Sequence, residues 1–280
     1  MRRVKNICFL GLCLIAAAVA LSLLFIILAF ILTRGAPAIS LAFLTEASSD
    51  FGASGGIFYQ LTGTVLLMAT AGVICLPIAL GTAIFSSEYL RPSFKERADL
   101  FIYALNGVPT IIFGLFGYVL LGAWLHLGVS WLTGSIILAM MILPTMTVSI
   151  DEAISAIPSK YREAGLALGL GRWSFISAVI LPRCLSGILT GLFLGLARAA
   201  GETAAIMFTA TAFSGARFPT SISEPVSTLQ THILVLAGEA TNPRALTNAW
   251  GAALILVSLV MGLSLMAMIV RTQLKTEAGR

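Results

Sequence analysis

Apolar residues run in long unbroken stretches along this chain, and polar residues collect in the gaps between them. A stretch of about 20 apolar residues is long enough to cross a bilayer as a helix. Six stretches qualify, at residues 7–32, 61–85, 101–125, 129–150, 185–208 and 249–270. The pattern predicts an all-α polytopic membrane protein with six transmembrane helices. The first stretch follows Arg2, Arg3 and Lys5 and precedes Ala36-Pro37-Ala38, in the manner of a secretory signal. It is far longer than the roughly 7–15 residues of a signal-peptide core, so a retained span is expected.

Composition agrees with the pattern. Hydrophobic residues make up 58% of the 280 positions and charged residues 10%. Soluble domains carry about 25% charged residues, so this chain cannot furnish a globular water-facing surface. Orientation follows from where the basic residues fall. With the N-terminus inside, the inner segments hold 13 of the 17 Lys and Arg residues, the outer segments hold Arg34, Arg217 and Arg244, and Arg198 lies within the fifth span. This excess places both termini in the cytoplasm. Cys8, Cys13, Cys75 and Cys184 lie in or beside apolar segments, form no CxxC pair, and read as small hydrophobes. The aromatic residues Trp124, Trp131 and Trp250 fall near the outer ends of spans, where aromatic belts form. Pro77, Pro109 and Pro144 lie within spans and are expected to kink them. His126 and His232 have no partner at metal-ligand spacing.

The inner loop at 151–183 has the clearest internal pattern of any loop. Pro158 suits a helix start, and Tyr161, Ala164, Gly165 and Leu168 recur at helical spacing to give one apolar face. Gly169 and Gly171 then stop or bend the helix. A second short helix over about 173–179 is expected to end before Pro182. Such an amphipathic elbow either anchors the loop at the membrane surface or docks into a groove on a cytoplasmic partner. Glu163-Ala164-Gly165, then Gly169, Val179 and Leu181-Pro182, resembles the EAA loop of ATP-binding-cassette importer permeases. Gly165 stands where the family has a third small residue and Val179 where it has Ile. The resemblance implies that Glu163, Ala164, Gly165 and Gly169 belong to a coupling helix that docks on an ATPase subunit. The sequence has no Walker A loop, so ATP hydrolysis is expected on a separate chain.

The fifth span contains Gly187, Gly191 and Gly195 at intervals of four, a row that lets another helix approach closely. It also contains Arg198 and Glu202. An ionised group at the bilayer centre costs about 2.5–3.5 kcal/mol on insertion scales, and residues at i and i+4 of a helix can pair. Three readings stay open on the residues alone. The pair fixes packing, the arginine fork contacts an anion with the glutamate as its partner, or the glutamate carries a cation. The segment Ala197-Arg198-Ala199-Ala200-Gly201-Glu202-Thr203-Ala204 is similar to a stretch shared by the permeases of the high-affinity phosphate importer. Residues 108–118 (VPTIIFGLFGY), Gly55-Gly56-Ile57 and Leu143-Pro144 fit the same family. The resemblance favours the PstA-type subunit and implies that Arg198, Glu202 and Thr203 lie on the substrate path. One departure stands out: Asp151-Glu152 is preceded by Val148-Ser149-Ile150, where many members carry an arginine. A second anion contact would then come from the partner permease.

The resemblance implies the fold of a type I ABC importer permease, with a first helix and outer loop over 1–60, a five-helix transmembrane domain over 61–271 and a cytoplasmic tail over 272–280. The implied function is transport of inorganic phosphate through half of a translocation pathway, with no catalysis and no bound cofactor or metal on this chain, the partner ATPase using ATP. Another oxyanion or small solute, or a self-sufficient secondary carrier, is the alternative. Expected partners are a second, PstC-type permease, a PstB-type ATPase dimer, an extracytoplasmic PstS-type phosphate-binding protein and membrane lipid, with no nucleic acid. The expected location is the bacterial inner membrane. Residues 217–231, polar with two prolines, suggest by position a contact for the outer binding protein.

Overall fold

The computed structural model describes residues 2–211, 217–239 and 241–278. The chain divides into two units, Met1–Phe58 with Ile233–Ile255, and Tyr59–His232 with Leu256–Arg280. Its long helices are α1 (Arg2–Gly35), α3 (Phe58–Glu88), α4 (Pro92–Asn106), α6 (Trp131–Ser155), α9 (Leu181–Ala200) and α12 (Pro243–Ala278). Shorter ones are α2 (Leu41–Thr45), α5 (Thr110–Gly117), α7 (Ser159–Ala167), α8 (Arg172–Phe175), α10 (Ala204–Thr209) and α11 (Leu229–Glu239). Among the described residues, five helical runs are long and apolar enough to cross a membrane, and a bent pair makes a sixth if it crosses as one span.

In the first unit, α1 is apolar on all sides over residues 9–32, and nearly all of its described side chains there are exposed, as suits a helix whose solvent is lipid. Ser40 caps α2 by accepting from Phe43 N at 3.1 Å. A two-stranded antiparallel hairpin, β1 (Ser48–Ser49) and β2 (Ser54–Gly55), follows. Gly55 has φ +72° and Gly56 packs so tightly on the Phe43 carbonyl that a Cβ would stand 2.2 Å from its oxygen. The Gly55-Gly56 pair is therefore required by a turn and a close backbone approach.

In the second unit the core is α6 packed on α9. Leu138, Ile142, Met146, Ile150 and Ile154 of α6 are fully buried against Ala71, Cys75, Ala79 and Ala83 of α3 and Ile188 of α9. The glycine row meets α6 directly: a Cβ on Gly187 would stand 2.2 Å from Ala153 Cβ, one on Gly191 3.0 Å from Ser149 Cβ, and one on Gly195 2.9 Å from Met146 Cγ. The expected close helix approach is present. Cys75 and Cys184 are buried in this core, while Cys13 is exposed. The side chain of Cys8 lies outside the described residues.

Three expectations about helices are corrected. The third span is not one straight helix over 101–125. Its helix begins earlier, at Pro92 of α4, breaks at Gly107-Val108-Pro109, and resumes as α5 after an 89° bend, ending in a π-helical turn over Tyr118–Trp124. Proline has no N–H to continue the ladder and disfavours α backbone in the residue before it, so Pro109 starts a new helix. Pro77 and Pro144, by contrast, lie inside α3 and α6, which run on through them.

The second correction concerns Pro182. The helix expected to end before it instead continues, and Arg172–Ala200 forms one span. A π-helical segment at Ile176–Ile180, where Leu181 N reaches back to Ile176 O, absorbs the proline. The third lies between residues 209 and 248, expected as loop, where α11 forms. Its apolar run is too short to be recognised as a span. The segment 217–231 is tied to the start of α6, where Trp131 N donates to Glu224 O at 3.0 Å and Trp131 Nε1 to Ser221 O at 2.9 Å. In that segment the Thr220 backbone N–H and hydroxyl hold the Glu224 carboxyl below its ordinary range.

Candidate functional site

Arg198 sits in the last turn of α9, where the negative end of the helix dipole favours a cation. The side chain is half-buried. Its Nη1 donates to Asn106 Oδ1 at 2.8 Å and to Thr145 Oγ1 at 2.9 Å. Asn106 is the last residue of α4, immediately before the break at Gly107. Thr145 follows Pro144 in α6. Three helices therefore converge on one guanidinium. Asn106 and Thr145 were not among the site residues read from the sequence. The signal that could have found them is a polar residue within an apolar run, beside a Gly or Pro that breaks or bends the helix.

Glu202 does not pair with Arg198. The ion pairs among the described residues are Lys95 with Asp151 and Arg162 with Glu88. The i,i+4 geometry requires helix through both positions, and α9 stops at Ala200. Gly201 N bonds Arg198 O and Glu202 N bonds Ala199 O, each at 3.2 Å, so the chain tightens and leaves the helical path. Glu202 and Thr203 then lead into α10, with Glu202 Oε1 3.5 Å from Ala205 N and Thr203 at the N-cap position. Both are half-buried. The stretch 108–118 packs on the same place: a Cβ on Gly114 of α5 would stand 2.8 Å from Ala205 Cα. Two segments that share a family resemblance and lie about 90 residues apart in sequence thus form one contact between α5 and α10.

The loop at 151–183 supplies the second candidate surface. In α7, Gly165 is buried against Phe175, and a Cβ there would stand 2.8 Å from Phe175 Cδ2. This accounts for glycine where the family pattern has a larger small residue. Gly169 has φ +70° and ends the helix, with Leu170 N bonding Gly165 O and Gly169 N bonding Leu166 O, both at 3.0 Å. That pair of bonds is the Schellman arrangement, which favours glycine at this position. The four residues of the expected apolar face divide in their packing. Tyr161 and Gly165 turn inward, whereas Ala164 and Leu168 are exposed together with Glu163, Leu166 and Trp173. Pro158 stands at the N-cap, one residue before the first turn.

The elbow is strapped to its own unit by side chains. Arg162 Nη1 donates to Glu88 Oε1 at the end of α3, Arg183 lies 3.9 Å over the Tyr161 ring, and Arg172 lies 5.4 Å over Tyr89. Nearby, Lys95 Nζ bonds both Asp151 oxygens, at 2.9 and 3.1 Å. The acidic pair that lacks a preceding arginine thus takes a lysine from α4.

Residues 74–276 match the family described as binding-protein-dependent transport system inner membrane component. The chain is 33% identical over 273 residues to the phosphate transport system permease protein PstA of Yersinia pestis, covering 96% of this chain and 90% of that protein. It is 31% identical over 273 residues to the probable ABC transporter permease protein YqgI of Bacillus subtilis, covering 91% and 90%. Among solved structures, a chain of the bacterial alginate ABC transporter in complex with alginate pentasaccharide-bound periplasmic protein superposes with a TM-score of 0.66 at 14% identity, over 95% of this chain and 94% of that one. The MetNI methionine ABC transporter in an inward-facing conformation gives 0.56 at 16% identity, over 77% and 96%. These two show the fold, that of a type I importer permease.

Proposed function

The chain belongs to the family of binding-protein-dependent transport system inner membrane components, and we propose on that premise that it is the PstA-type permease subunit of an ATP-driven importer of inorganic phosphate. It forms half of the translocation pathway and catalyses no reaction itself. Its partners are a second permease of PstC type, a PstB-type ATPase dimer that uses the ATP, and a PstS-type phosphate-binding protein outside. This chain binds no cofactor of its own. It lies in the bacterial inner membrane with both termini cytoplasmic. Glu163, Ala164, Gly165 and Gly169 form the surface that docks on the ATPase, and Arg198, Glu202 and Thr203 border the substrate path.

The observation that carries the substrate is Arg198. It is a cation at the end of a transmembrane helix with neutral partners on one side, in a chain 33% identical to a phosphate permease. A planar guanidinium suits tetrahedral oxyanions because it offers paired donors in a fixed plane. The test is uptake of radiolabelled phosphate by proteoliposomes holding the full assembly, with and without ATP. Uptake should require ATP and the binding protein. Arg198→Gln should abolish it, and Arg198→Lys, which keeps the charge and loses the fork, should reduce it at least about tenfold while the complex assembles. Normal uptake by both variants would remove Arg198 from the path, and uptake without ATP would favour a secondary carrier.

A further inference from the structure

Arg198 differs from the other paired cations of its unit. Lys95 and Arg162 each meet a carboxylate, of Asp151 and Glu88. Arg198 meets an amide oxygen and a hydroxyl oxygen. A carboxylate at hydrogen-bond distance compensates a guanidinium charge, whereas Asn and Thr accept from it and leave the charge in place. Both bonds leave from a single nitrogen, Nη1, and these are the hydrogen bonds that the Arg198 side chain makes among the described residues. Nη1 carries two N–H groups, so the two acceptors use that nitrogen fully. The remaining edge, Nε with Nη2, is the side-on pair of donors that meets two oxygens of a carboxylate or phosphate at once.

Thr145 adds a second line of argument. Threonines in apolar helices commonly return their hydroxyl to the carbonyl four residues back. Thr147, two residues further along α6, does so with Leu143 O at 2.8 Å, and Thr64, Thr82 and Thr190 do likewise in their helices. The hydrogen bond that the structure gives Thr145 is instead to Arg198. Asn106 reaches Arg198 because α4 ends there, at the break that Pro109 enforces.

Resting on the reading of Arg198 as the anion contact, we propose that Asn106 and Thr145 are positioning residues that grip its guanidinium by one nitrogen without neutralising it, which leaves the Nε–Nη2 edge for a tetrahedral oxyanion. Glu202 has no part in this grip. The requirement is for neutral acceptors, and an acidic residue at either position defeats the purpose although it would hold the arginine more tightly.

The test uses the full assembly in proteoliposomes, with orthophosphate as the probe. The readouts are uptake KM and maximal rate, complex yield, and ATPase stimulation by the binding protein. Asn106→Asp keeps the size and the acceptor and adds a charge. It should lower phosphate uptake at least about tenfold at normal complex yield, where a merely structural contact would be kept or strengthened. Thr145→Val should raise KM several-fold, and Thr145→Ser should restore it. Wild-type uptake by Asn106→Asp overturns the proposal. So does an unchanged KM in Thr145→Val, the variant that decides the matter if Asn106→Asp fails to assemble. Arg198→Gln run alongside separates the two levels: if it transports normally the anion-contact reading falls first, and if it is inactive while the Asn106 and Thr145 variants are normal, the positioning role alone falls.

Discussion

At the scale of single residues, the site is decided by what an apolar helix cannot hide. Arg198 was legible in the sequence because a charge within a span must be explained. Its partners were not, because Asn106 and Thr145 come from other helices and a single uncharged polar residue carries little signal. Glu202 is not its ion-pair partner because the i,i+4 rule assumes helix through Gly201, and the chain turns off there. Gly165 shows the reverse, a departure from a family pattern that packing explains. An added methyl would press on the buried Phe175 ring at 2.8 Å, and overpacking of this kind costs about 1–3 kcal/mol. Gly165→Ala, which restores the family's small residue, should therefore lower the thermal stability of the assembled complex and loosen α7. Combining it with Phe175→Leu should recover most of the loss. Equal melting temperatures for wild type and Gly165→Ala would show that Phe175 yields freely.

At the scale of elements, long apolar helices were read from the sequence because a bilayer demands length and uniform hydrophobicity. Interruptions were not. Pro77 and Pro144 are tolerated in continuous helices, Pro109 begins a new one, and Pro182 is absorbed by a π-helical turn. What decides among these outcomes is whether neighbouring helices and local backbone shifts satisfy the freed carbonyls, which no local pattern contains. The elbow at 159–169 was legible as a helix ended by Gly169, but which of its residues pack inward was not, since Gly165 and Tyr161 are chosen by Phe175 and Arg183. The tie between elbow and span is Arg162 with Glu88, whose side chains are 33% and 12% exposed, enough burial to matter. Movement of α7 on an ATPase would pass through this bond to the end of α3. Glu88→Gln and Arg162→Met should each leave ATP hydrolysis running with less phosphate moved per ATP. The exchange Glu88→Arg with Arg162→Glu should regain part of the coupling. A double-mutant cycle on uptake should give an interaction of about 1 kcal/mol, and a value near zero would show that the bond does not transmit motion.

At the scale of the whole molecule, burial and hydropathy sort the helices. The most apolar window, in α1, has mean hydropathy 3.1 and none of it buried, whereas that of α6 has 1.8 and is 67% buried. The more polar helix is the one shielded by protein, as expected when lipid is the outer solvent. Topology then rests on the bent pair α4 and α5. Counted as one crossing it gives six spans and puts both termini on one side. Counted as a re-entrant loop it gives five, with the termini on opposite sides. The distribution of 13 basic residues on one side and three on the other predicts six, because six crossings would put the segment before α4 with the inner loops and the turn near His126 outside. The check is single-cysteine labelling in a variant with the four native cysteines replaced. Ser93→Cys, at the start of α4, and Lys275→Cys should react only when the inner face is open. Leu127→Cys, in the turn after α5, and Pro225→Cys should react with an impermeant reagent added outside. Labelling of Ser93→Cys and Leu127→Cys from the same side would make the pair a re-entrant loop and overturn the six-span topology.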